Sequence, residues 1–298
     1  MAILKVENLQ KNYGSIQALK GVTFSVPQGS VFGILGPNGS GKTTLLGIIM
    51  DIIKATAGSF QLFDEKPGPQ HRRQIGTLLE TPNFYHYLSG EKNLRIAASI
   101  KGKGENDIAR VLELVDLTKR KGSKFSTYSL GMKQRLAIAS TLLGNPEVLV
   151  FDEPTNGLDP VGIAETRELI KKLNREGKTI IMASHLLDEV EKVCTHAAIL
   201  QRGVLLTHGH VDEILINEDI VELGAENKEQ LQLLMANYPH SISIKEHGIY
   251  LDVVFASGKA SLAQINEFCF NQGVVLNHLR LRRKSLETKF FELTSNNN

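Results

Sequence analysis

A glycine-rich stretch near the amino terminus has the residue types of a loop that holds phosphate. Glycines let the backbone fold tightly, so that its N–H groups can point toward an anion. Lys42 can neutralise phosphate charge, and the hydroxyl of Thr43 can bind Mg²⁺. A predicted strand precedes the stretch and a predicted helix follows it, which is the order that such a loop requires. The predicted nucleotide contacts in this stretch are Gly36, Pro37, Asn38, Gly39, Ser40, Gly41, Lys42, Thr43 and Thr44.

Two adjacent carboxylates follow a strongly hydrophobic run in the middle of the chain. Residues 148–151 predict a buried strand, and Asp152 and Glu153 stand at its carboxyl end. In a parallel sheet both acids would lie at the edge where the phosphate-binding stretch begins. Asp152 is a candidate Mg²⁺ ligand through a water molecule, and Glu153 is a candidate general base. Carboxylates that end a strand are also ordinary surface residues, so this interpretation depends on the neighbouring loop.

The elements that must position these residues alternate between strand and helix over the first two-thirds of the chain. This order predicts an α/β fold with a parallel sheet and crossover helices. The predicted strands are 31–35, 148–151 and 179–183, and the predicted helices are 43–53, 131–143 and 163–176. Segments 3–9, 22–26 and 60–63 predict an antiparallel β edge, and 91–117 predicts a helical insertion. We expect this first domain to span residues 1–216.

The rest of the chain predicts a small α+β domain over residues 217–294. Its order is strand, helix, strand, strand, helix, strand, which is typical of a ferredoxin-like domain, with a hairpin turn at His247-Gly248. The tail at 295–298 is polar and expected to be disordered. A basic run could contact anionic lipid or a partner, although charges at a strand end are usually only solvated. It consists of Arg280, Arg282, Arg283 and Lys284.

The segment Tyr128-Ser129-Leu130-Gly131-Met132 resembles the signature motif of ATP-binding-cassette (ABC) ATPases, and it precedes the two carboxylates as it does in that family. The usual motif is Leu-Ser-Gly-Gly-Gln, so this chain keeps the serine and the second glycine. In the family these residues contact the γ-phosphate of ATP held by the opposite subunit. The resemblance implies a head-to-tail homodimer, or a pair with a paralogous cassette, around two ATP molecules. It also implies a P-loop NTPase core of the ABC type with a helical subdomain.

Other short motifs resemble the same family and follow its order. Asn156-Gly157-Leu158-Asp159 resembles the D-loop, which implies that Asp159 lies near ATP, and His185 resembles the switch histidine that contacts the γ-phosphate. With Lys42 and Glu153, His185 completes the implied catalytic set. Tyr13 resembles the aromatic residue that stacks on adenine, although an edge tyrosine could instead pack on the β subdomain.

Glu80 departs from the family pattern, because it stands where a glutamine is usual. The resemblance implies that it binds Mg²⁺ together with Thr43 and Asp152. A glutamate here is similar to the ATPases of lantibiotic and bacitracin self-protection exporters, and it is equally compatible with lineage drift. The aromatic residues that follow could contact a permease helix or pack in the core. They are Phe84, Tyr85 and Tyr87.

The resemblance implies an ATP-hydrolysing subunit that uses ATP and Mg²⁺ and drives a separate membrane permease, an exporter of a drug or an antimicrobial peptide. The sequence lacks a run of about 20 apolar residues that could span a membrane. Cys194 and Cys269 lie far apart and lack metal-ligand spacing. We therefore expect a cytoplasmic protein that is peripheral on the inner face of the cell membrane.

A soluble ABC-type ATPase that acts on nucleic acid or ribosomes is the alternative. The chain has 34 Lys and Arg against 32 Asp and Glu, so no strong positive field favours nucleic acid, and none is expected as a partner. One cassette and no long coiled coil between the motifs also favour the transporter. A third possibility is a binding module without turnover. The presence of Glu153, His185 and Ser129 argues against it, because a degenerate site needs no general base.

Overall fold

The structure is a computed structural model that describes residues 1–79, 84–215, 218–256, 258–283 and 286–295. Glu80, Lys284 and the tail residues 296–298 lie outside these ranges. The chain forms two compact units, Met1–Gly209 and His210–Asn298. Within the described ranges, every helix is too short or too polar to cross a bilayer.

The two units contain thirteen strands and eleven α-helices in the described ranges. The strands are β1 (Ala2–Tyr13), β2 (Ile16–Pro27), β3 (Val31–Leu35), β4 (Ala57–Leu62), β5 (Ile75–Leu78), β6 (Val148–Asp152), β7 (Thr179–Ser184), β8 (His196–Gln201), β9 (Val204–His210), β10 (Glu218–Ala225), β11 (Ser241–His247), β12 (Tyr250–Ala256) and β13 (Leu276–Arg283). The helices are α1 (Lys42–Ile49), α2 (Pro69–Arg72), α3 (Gly90–Lys101), α4 (Ile108–Leu114), α5 (Leu130–Thr141), α6 (Pro160–Arg175), α7 (Leu187–Val193), α8 (Val211–Leu215), α9 (Lys228–Ala236), α10 (Leu262–Asn271) and α11 (Leu286–Ser295).

A six-stranded sheet of order β5-β6-β7-β3-β8-β9 lies at the centre of the first unit. From β5 to β8 in this order, each strand runs parallel to its neighbour. Every residue of β3 and β6 is buried, as expected for strands covered on both faces. Leu35 pairs with Ser184, and Asp152 pairs with Ala183, so β3, β6 and β7 end at the same edge. The predicted parallel α/β sheet is confirmed.

A separate antiparallel sheet of order β2-β1-β4 contains the segments predicted as a β edge. Its strands are longer than predicted, because β1 pairs with β2 from Ala2 to Tyr13. The predicted helical insertion is divided between α3 and α4, since Gly102 ends α3 in a left-handed conformation with φ 68°. Helix α1 ends at Ile49 rather than at residue 53, and Asp51 then takes φ 62°.

The second unit has the element order β10-α9-β11-β12-α10-β13 and one antiparallel sheet of strand order β11-β12-β10-β13. Its core joins alternate residues of the sheet to apolar residues of the two helices, namely Leu231, Met235, Ile265 and Cys269. Helix α8 contacts α11, so this unit begins at His210 rather than at 217. Helix α11 is absent from the sequence prediction.

Removing residues 210–298 should leave a first unit that unfolds cooperatively, because its described core draws only on residues between Ile3 and Leu205. Thermal unfolding of the shortened chain, followed by far-ultraviolet circular dichroism, measures this. The control is the full chain with Leu223→Ala, which opens a cavity in the second unit. This substitution should lower the free energy of unfolding of the second unit by about 2–5 kcal/mol and leave the stability of the first unit unchanged. A shortened chain without a cooperative transition would contradict the division.

Candidate functional site

The glycine-rich stretch connects the end of β3 to the start of α1, and two glycines shape its backbone. Gly36 has φ 155°, and a Cβ here would lie 2.1 Å from the carbonyl oxygen of Leu200. Gly41 has φ 106° where α1 begins, and a Cβ there would lie 2.7 Å from the carbonyl oxygen of Ala18. The fold therefore requires glycine at both positions, and the unpaired N–H groups at the start of α1 adjoin the loop.

Lys42 is buried, and its ammonium group points back across this loop. Only 6% of its side chain is exposed. Nζ donates hydrogen bonds to the carbonyl oxygens of Gly36, at 2.8 Å, and Pro37, at 3.3 Å. It also lies 3.6 Å from Oε1 of Glu153. A buried ammonium group needs such partners, because an uncompensated charge in the interior is strongly destabilising.

The other side chains of the stretch differ in exposure. Ser40 is buried and Thr44 is half-buried, whereas Pro37, Asn38, Gly39 and Thr43 are exposed. The backbone of Ser40 is held from behind, because its carbonyl oxygen accepts a hydrogen bond from the N–H of Gly203 at 3.0 Å. The hydroxyl of Thr43 is therefore open to a ligand at the edge of the sheet, while the loop behind it is fixed.

Glu153 and His185 meet at the same edge. Glu153 follows β6 with a left-handed φ of 49°, and its N–H donates to the carbonyl oxygen of Ala183 on β7 at 3.0 Å. Its Oε2 lies 2.8 Å from Nδ1 of His185, in a hydrogen bond whose donor depends on the imidazole tautomer. Asp152 ends β6 with 9% of its surface exposed. Lys42, Glu153 and His185 thus form a continuous row of contacts, and Asp152 stands next to it in the chain.

The signature-like segment begins α5. Ser129 caps the helix, because its hydroxyl accepts a hydrogen bond from the N–H of Met132 at 3.3 Å, and its side chain is exposed. Leu130 is 54% exposed. A Cβ at Gly131 would meet no described atom within 4 Å, so packing within this chain does not require glycine there.

Packing explains why a tyrosine stands in the first position of the signature-like segment. Tyr128 is buried, and its hydroxyl donates a hydrogen bond to the carbonyl oxygen of Arg120 at 2.9 Å. Its ring lies beside Phe125, at 5.9 Å between centroids. Burial raises the pKa of the Tyr128 hydroxyl, which keeps it a hydrogen-bond donor. The departure from leucine therefore anchors the start of α5.

The residues after Glu153 are held by two contacts. Asp159 caps α6, because its Oδ1 accepts a hydrogen bond from the N–H of Gly162 at 2.8 Å. Gln134 on α5 donates through Nε2 to the carbonyl oxygen of Pro154 at 2.8 Å. No motif in the sequence predicts this contact of Gln134, since it depends on how α5 packs beside the end of β6.

Tyr13 ends β1 and is 46% exposed. Nζ of Lys11 lies 4.8 Å from the centre of its ring, which is cation–π distance. The next strand, β2, passes behind the phosphate-binding loop, where Ala18 limits the space at Gly41. The ring is therefore exposed on the sheet that borders the loop, as a stacking surface must be.

Comparison with known proteins identifies the family. Residues 19–156 match the family model described as ABC transporter. The chain is 37% identical to the uncharacterized ABC transporter ATP-binding protein YhcH of Bacillus subtilis, over 98% of this chain and 96% of that protein. It is 36% identical to the bacitracin transport ATP-binding protein BcrA of Bacillus licheniformis, over 98% and 97%. It is 36% identical to the lantibiotic transport ATP-binding protein SrtF of Streptococcus pyogenes, over 77% and 95%.

Solved structures agree over the first unit. CbiO1 from Clostridium perfringens, described as part of the ABC transporter complex cbiONQ, matches with a TM-score of 0.66 at 31% identity, over 72% of this chain and 90% of that chain. A dimeric ATP-binding cassette, MJ0796, bound to ADP and Pi, matches with a TM-score of 0.62 at 28% identity, over 70% and 98%. With this likeness, and with a loop that can enclose phosphate beside Glu153, the protein belongs to the ATP-binding subunits of ABC transporters, and it is an ATPase.

Proposed function

We propose that the protein binds Mg-ATP at the carboxyl edge of its central sheet and drives a separate membrane permease by hydrolysing it. The row of contacts from Lys42 through Glu153 to His185 carries this proposal. Nζ of Lys42 lies 3.6 Å from Oε1 of Glu153, and Oε2 of Glu153 lies 2.8 Å from Nδ1 of His185. A cation, a carboxylate base and an imidazole are therefore in consecutive contact. Phosphoryl transfer to water needs charge stabilisation and a positioned base, and this row offers both.

Binding of ATP would use the glycine-rich loop and an exposed aromatic ring. The backbone N–H groups between Gly36 and Thr44 surround the phosphates, and Lys42 exchanges Glu153 for phosphate oxygens. Tyr13 stacks on the adenine, with an expected contribution of about 1–3 kcal/mol. The exchange at Lys42 releases the Glu153 carboxylate from its cation and leaves it available to water.

Hydrolysis then depends on Glu153. A water oxygen attacks the γ-phosphorus while Glu153 accepts a proton from that water, and the bond from the γ-phosphorus to the bridging oxygen of ADP breaks. His185 holds the carboxylate in position and contacts the γ-phosphate. Lys42 stabilises the negative charge that develops on the phosphate oxygens.

The donors for Mg²⁺ are oxygens, which suits this ion. Thr43 offers an exposed hydroxyl, and Asp152 offers a carboxylate that would act through water. Glu80 belongs to the same proposed set but lies outside the described residues. When bound, the ion neutralises charge on the phosphates.

A second copy of the chain would complete each site. Ser129 is exposed and Gly131 is unconstrained by its own chain, so both are available to the γ-phosphate of ATP bound to a partner. Asp159 would act by fixing the loop that precedes α6, since its Oδ1 already caps that helix. The dimeric cassette MJ0796 gives a precedent for such an assembly.

We propose that the permease binds at a cleft of about 670 Å³ in the first unit, at the amino ends of β5 and β6. Four cations line it together with Ile100, which is 82% exposed, and its described lining contains no acid. The four are Arg72, Arg73, Lys101 and Lys103. Burial and the charge of Lys103 lower the pKa of Lys101 to about 8. We expect an acidic cytoplasmic segment of the permease to bind this cationic cleft.

The aromatic residues for which the sequence left a permease contact and core packing open differ in their surroundings. Phe84 packs edge-on against Phe125 with ring centroids 5.2 Å apart, which favours a core role. Tyr85 and Tyr87 are 49% and 69% exposed, so they can contribute to the permease contact. Tyr85 is also fixed by its backbone, because Asn93 accepts from its N–H at 2.8 Å and donates to its carbonyl oxygen at 3.1 Å.

The names of two relatives support a proposal for the cargo. Proteins that match this chain at 36% identity are named for transport of bacitracin and of a lantibiotic. We therefore propose export of an antimicrobial peptide, from a site on the cytoplasmic face of the membrane. The second unit is proposed to be an accessory domain of ferredoxin-like arrangement, supported by its strand order.

Lys42→Ala should reduce ATP hydrolysis by about 100-fold or more, because it removes the cation that stabilises the transferred phosphate. Phosphate release by purified protein with Mg-ATP measures the effect. Lys172→Ala, at an exposed lysine of α6, is the matched control and should retain full activity. Equal rates for the two variants would overturn the assignment of Lys42.

Glu153→Gln should bind ATP and hydrolyse it about 10²–10⁴ times more slowly, because an amide cannot accept the proton of water. Trapped ATP should then hold two chains together, which size-exclusion chromatography with ATP detects. Glu147→Gln, at an exposed glutamate before β6, is the control and should turn over normally. Normal turnover in Glu153→Gln would exclude the general base, and a monomer with bound ATP would exclude the dimer.

Arg73→Glu should leave basal hydrolysis unchanged and reduce stimulation by the reconstituted permease several-fold, since it reverses one charge in the cationic cleft. The ratio of rates with and without permease is the measurement. Lys172→Glu makes the same charge change outside the cleft and should keep the ratio. If Arg73→Glu keeps it as well, the permease binds elsewhere.

A further inference from the structure

The sheet of the second unit has two faces of opposite character. Alternate residues of its strands enter the core with α9 and α10, and these include Val221, Leu223, Leu251, Val253 and Phe255. The residues between them point to the other face, where Glu222 on β10 pairs across the strands with Asp252 on β12 and with Arg280 on β13. This second face is polar at its centre.

Glu222 is buried on this face, with 8% of its side chain exposed, and three side chains surround it. His278 Nε2 lies 2.8 Å from its Oε1, and His247 Nδ1 lies 3.3 Å from its Oε2. Arg282 donates to the same Oε2 at 3.3 Å. We call Glu222, His247, Asp252, His278 and Arg282 the Glu222 cluster.

Arg282 also joins the two acids of the cluster. Its second nitrogen donates to Oδ2 of Asp252 at 3.1 Å, so one guanidinium group spans both carboxylates. The other oxygen of Asp252 is buried and has no hydrogen-bond partner among the described atoms. Burial alone raises the pKa of Glu222, but hydrogen bonds from His278 and His247 and the charge of Arg282 outweigh it and lower that pKa. In the geometry, one guanidinium group lies between the two carboxylates and supplies a cation to both.

We propose that the Glu222 cluster is a binding site for a transition-metal dication of the Zn²⁺ class, with Glu222, His247 and Asp252 as ligands. One ligand atom from each of the three lies within 4.8 Å of the others. The bound dication takes the place of the Arg282 guanidinium between the carboxylates. His278 keeps its hydrogen bond to Glu222 and orients that carboxylate.

The ligand set selects the class of metal. Imidazole together with carboxylate favours Zn²⁺, Co²⁺ and Ni²⁺, whereas Mg²⁺ prefers oxygen ligands alone. His247 is 57% exposed, so its ring can turn toward an ion and solvent can supply a fourth ligand. The cations Lys245 and Arg280 lie on the same face beside Asp252 and Glu222, and with Arg282 they weaken metal binding. Removal of Arg282 should therefore tighten it.

Titration of the full-length, nucleotide-free protein with Co²⁺ tests this proposal through the visible absorption of the bound ion. We expect one equivalent to bind per chain, to be displaced by Zn²⁺ and to resist millimolar Mg²⁺. His247→Asn should weaken binding by about tenfold or more. Arg282→Met should strengthen binding, because it removes the competing cation from between the carboxylates.

His240→Asn is the matched control, since His240 is an exposed histidine of the same unit that lies outside the cluster. It should bind Co²⁺ as the unchanged chain does. Circular dichroism and ATP binding check that each variant is folded, and Asp252→Asn provides a second variant at a ligand position. The proposal fails if His247→Asn and Asp252→Asn bind like the control, if Arg282→Met does not bind more tightly, or if the chain binds no Co²⁺.

Discussion

The buried ammonium group of Lys42 is the constraint on which the nucleotide edge depends. Lys42 is the first residue of α1. Its ammonium group donates hydrogen bonds to carbonyl oxygens of the loop and lies close to the carboxylate of Glu153. Glu153 in turn contacts His185, so the first residue of α1 is linked to side chains that follow β6 and β7. This arrangement needs strands that are parallel and adjacent, because only then do their carboxyl ends meet at one edge. A bound triphosphate would replace Glu153 as the partner of Lys42 and leave the Glu153 carboxylate available as a base.

The sequence predicts this edge well, because each of its parts is local. The loop has its own motif, Asp152 and Glu153 end a continuous hydrophobic run, and both signals remain readable without tertiary structure. Such local signals do not predict the contacts of Tyr128 and Gln134. The hydroxyl of Tyr128 finds the carbonyl oxygen of Arg120, and Gln134 finds that of Pro154, only after distant segments have packed. The early end of α1 likewise depends on Asp51 adopting a left-handed conformation.

In the second unit, too, the sequence predicts single strands and helices but not the contacts between them. Hydrophobic alternation and helical periodicity predict its strand and helix order, since both patterns are properties of single elements. The Glu222 cluster depends instead on cross-strand register, which brings together residues that are 25 to 60 positions apart in the chain. Arg282 illustrates the difference. In the sequence it belongs to a basic run at a strand end, whereas in the structure it is the cation between two carboxylates.

A double-mutant cycle on ATP affinity can show whether Lys42 exchanges Glu153 for phosphate when ATP binds. The dissociation constant for ATP is measured in the unchanged chain, in Lys42→Met, in Glu153→Gln and in the double variant. If Glu153 competes with phosphate for Lys42, Glu153→Gln should tighten ATP binding when Lys42 is present and have a much smaller effect in Lys42→Met. An equal effect of Glu153→Gln in both backgrounds would contradict the exchange.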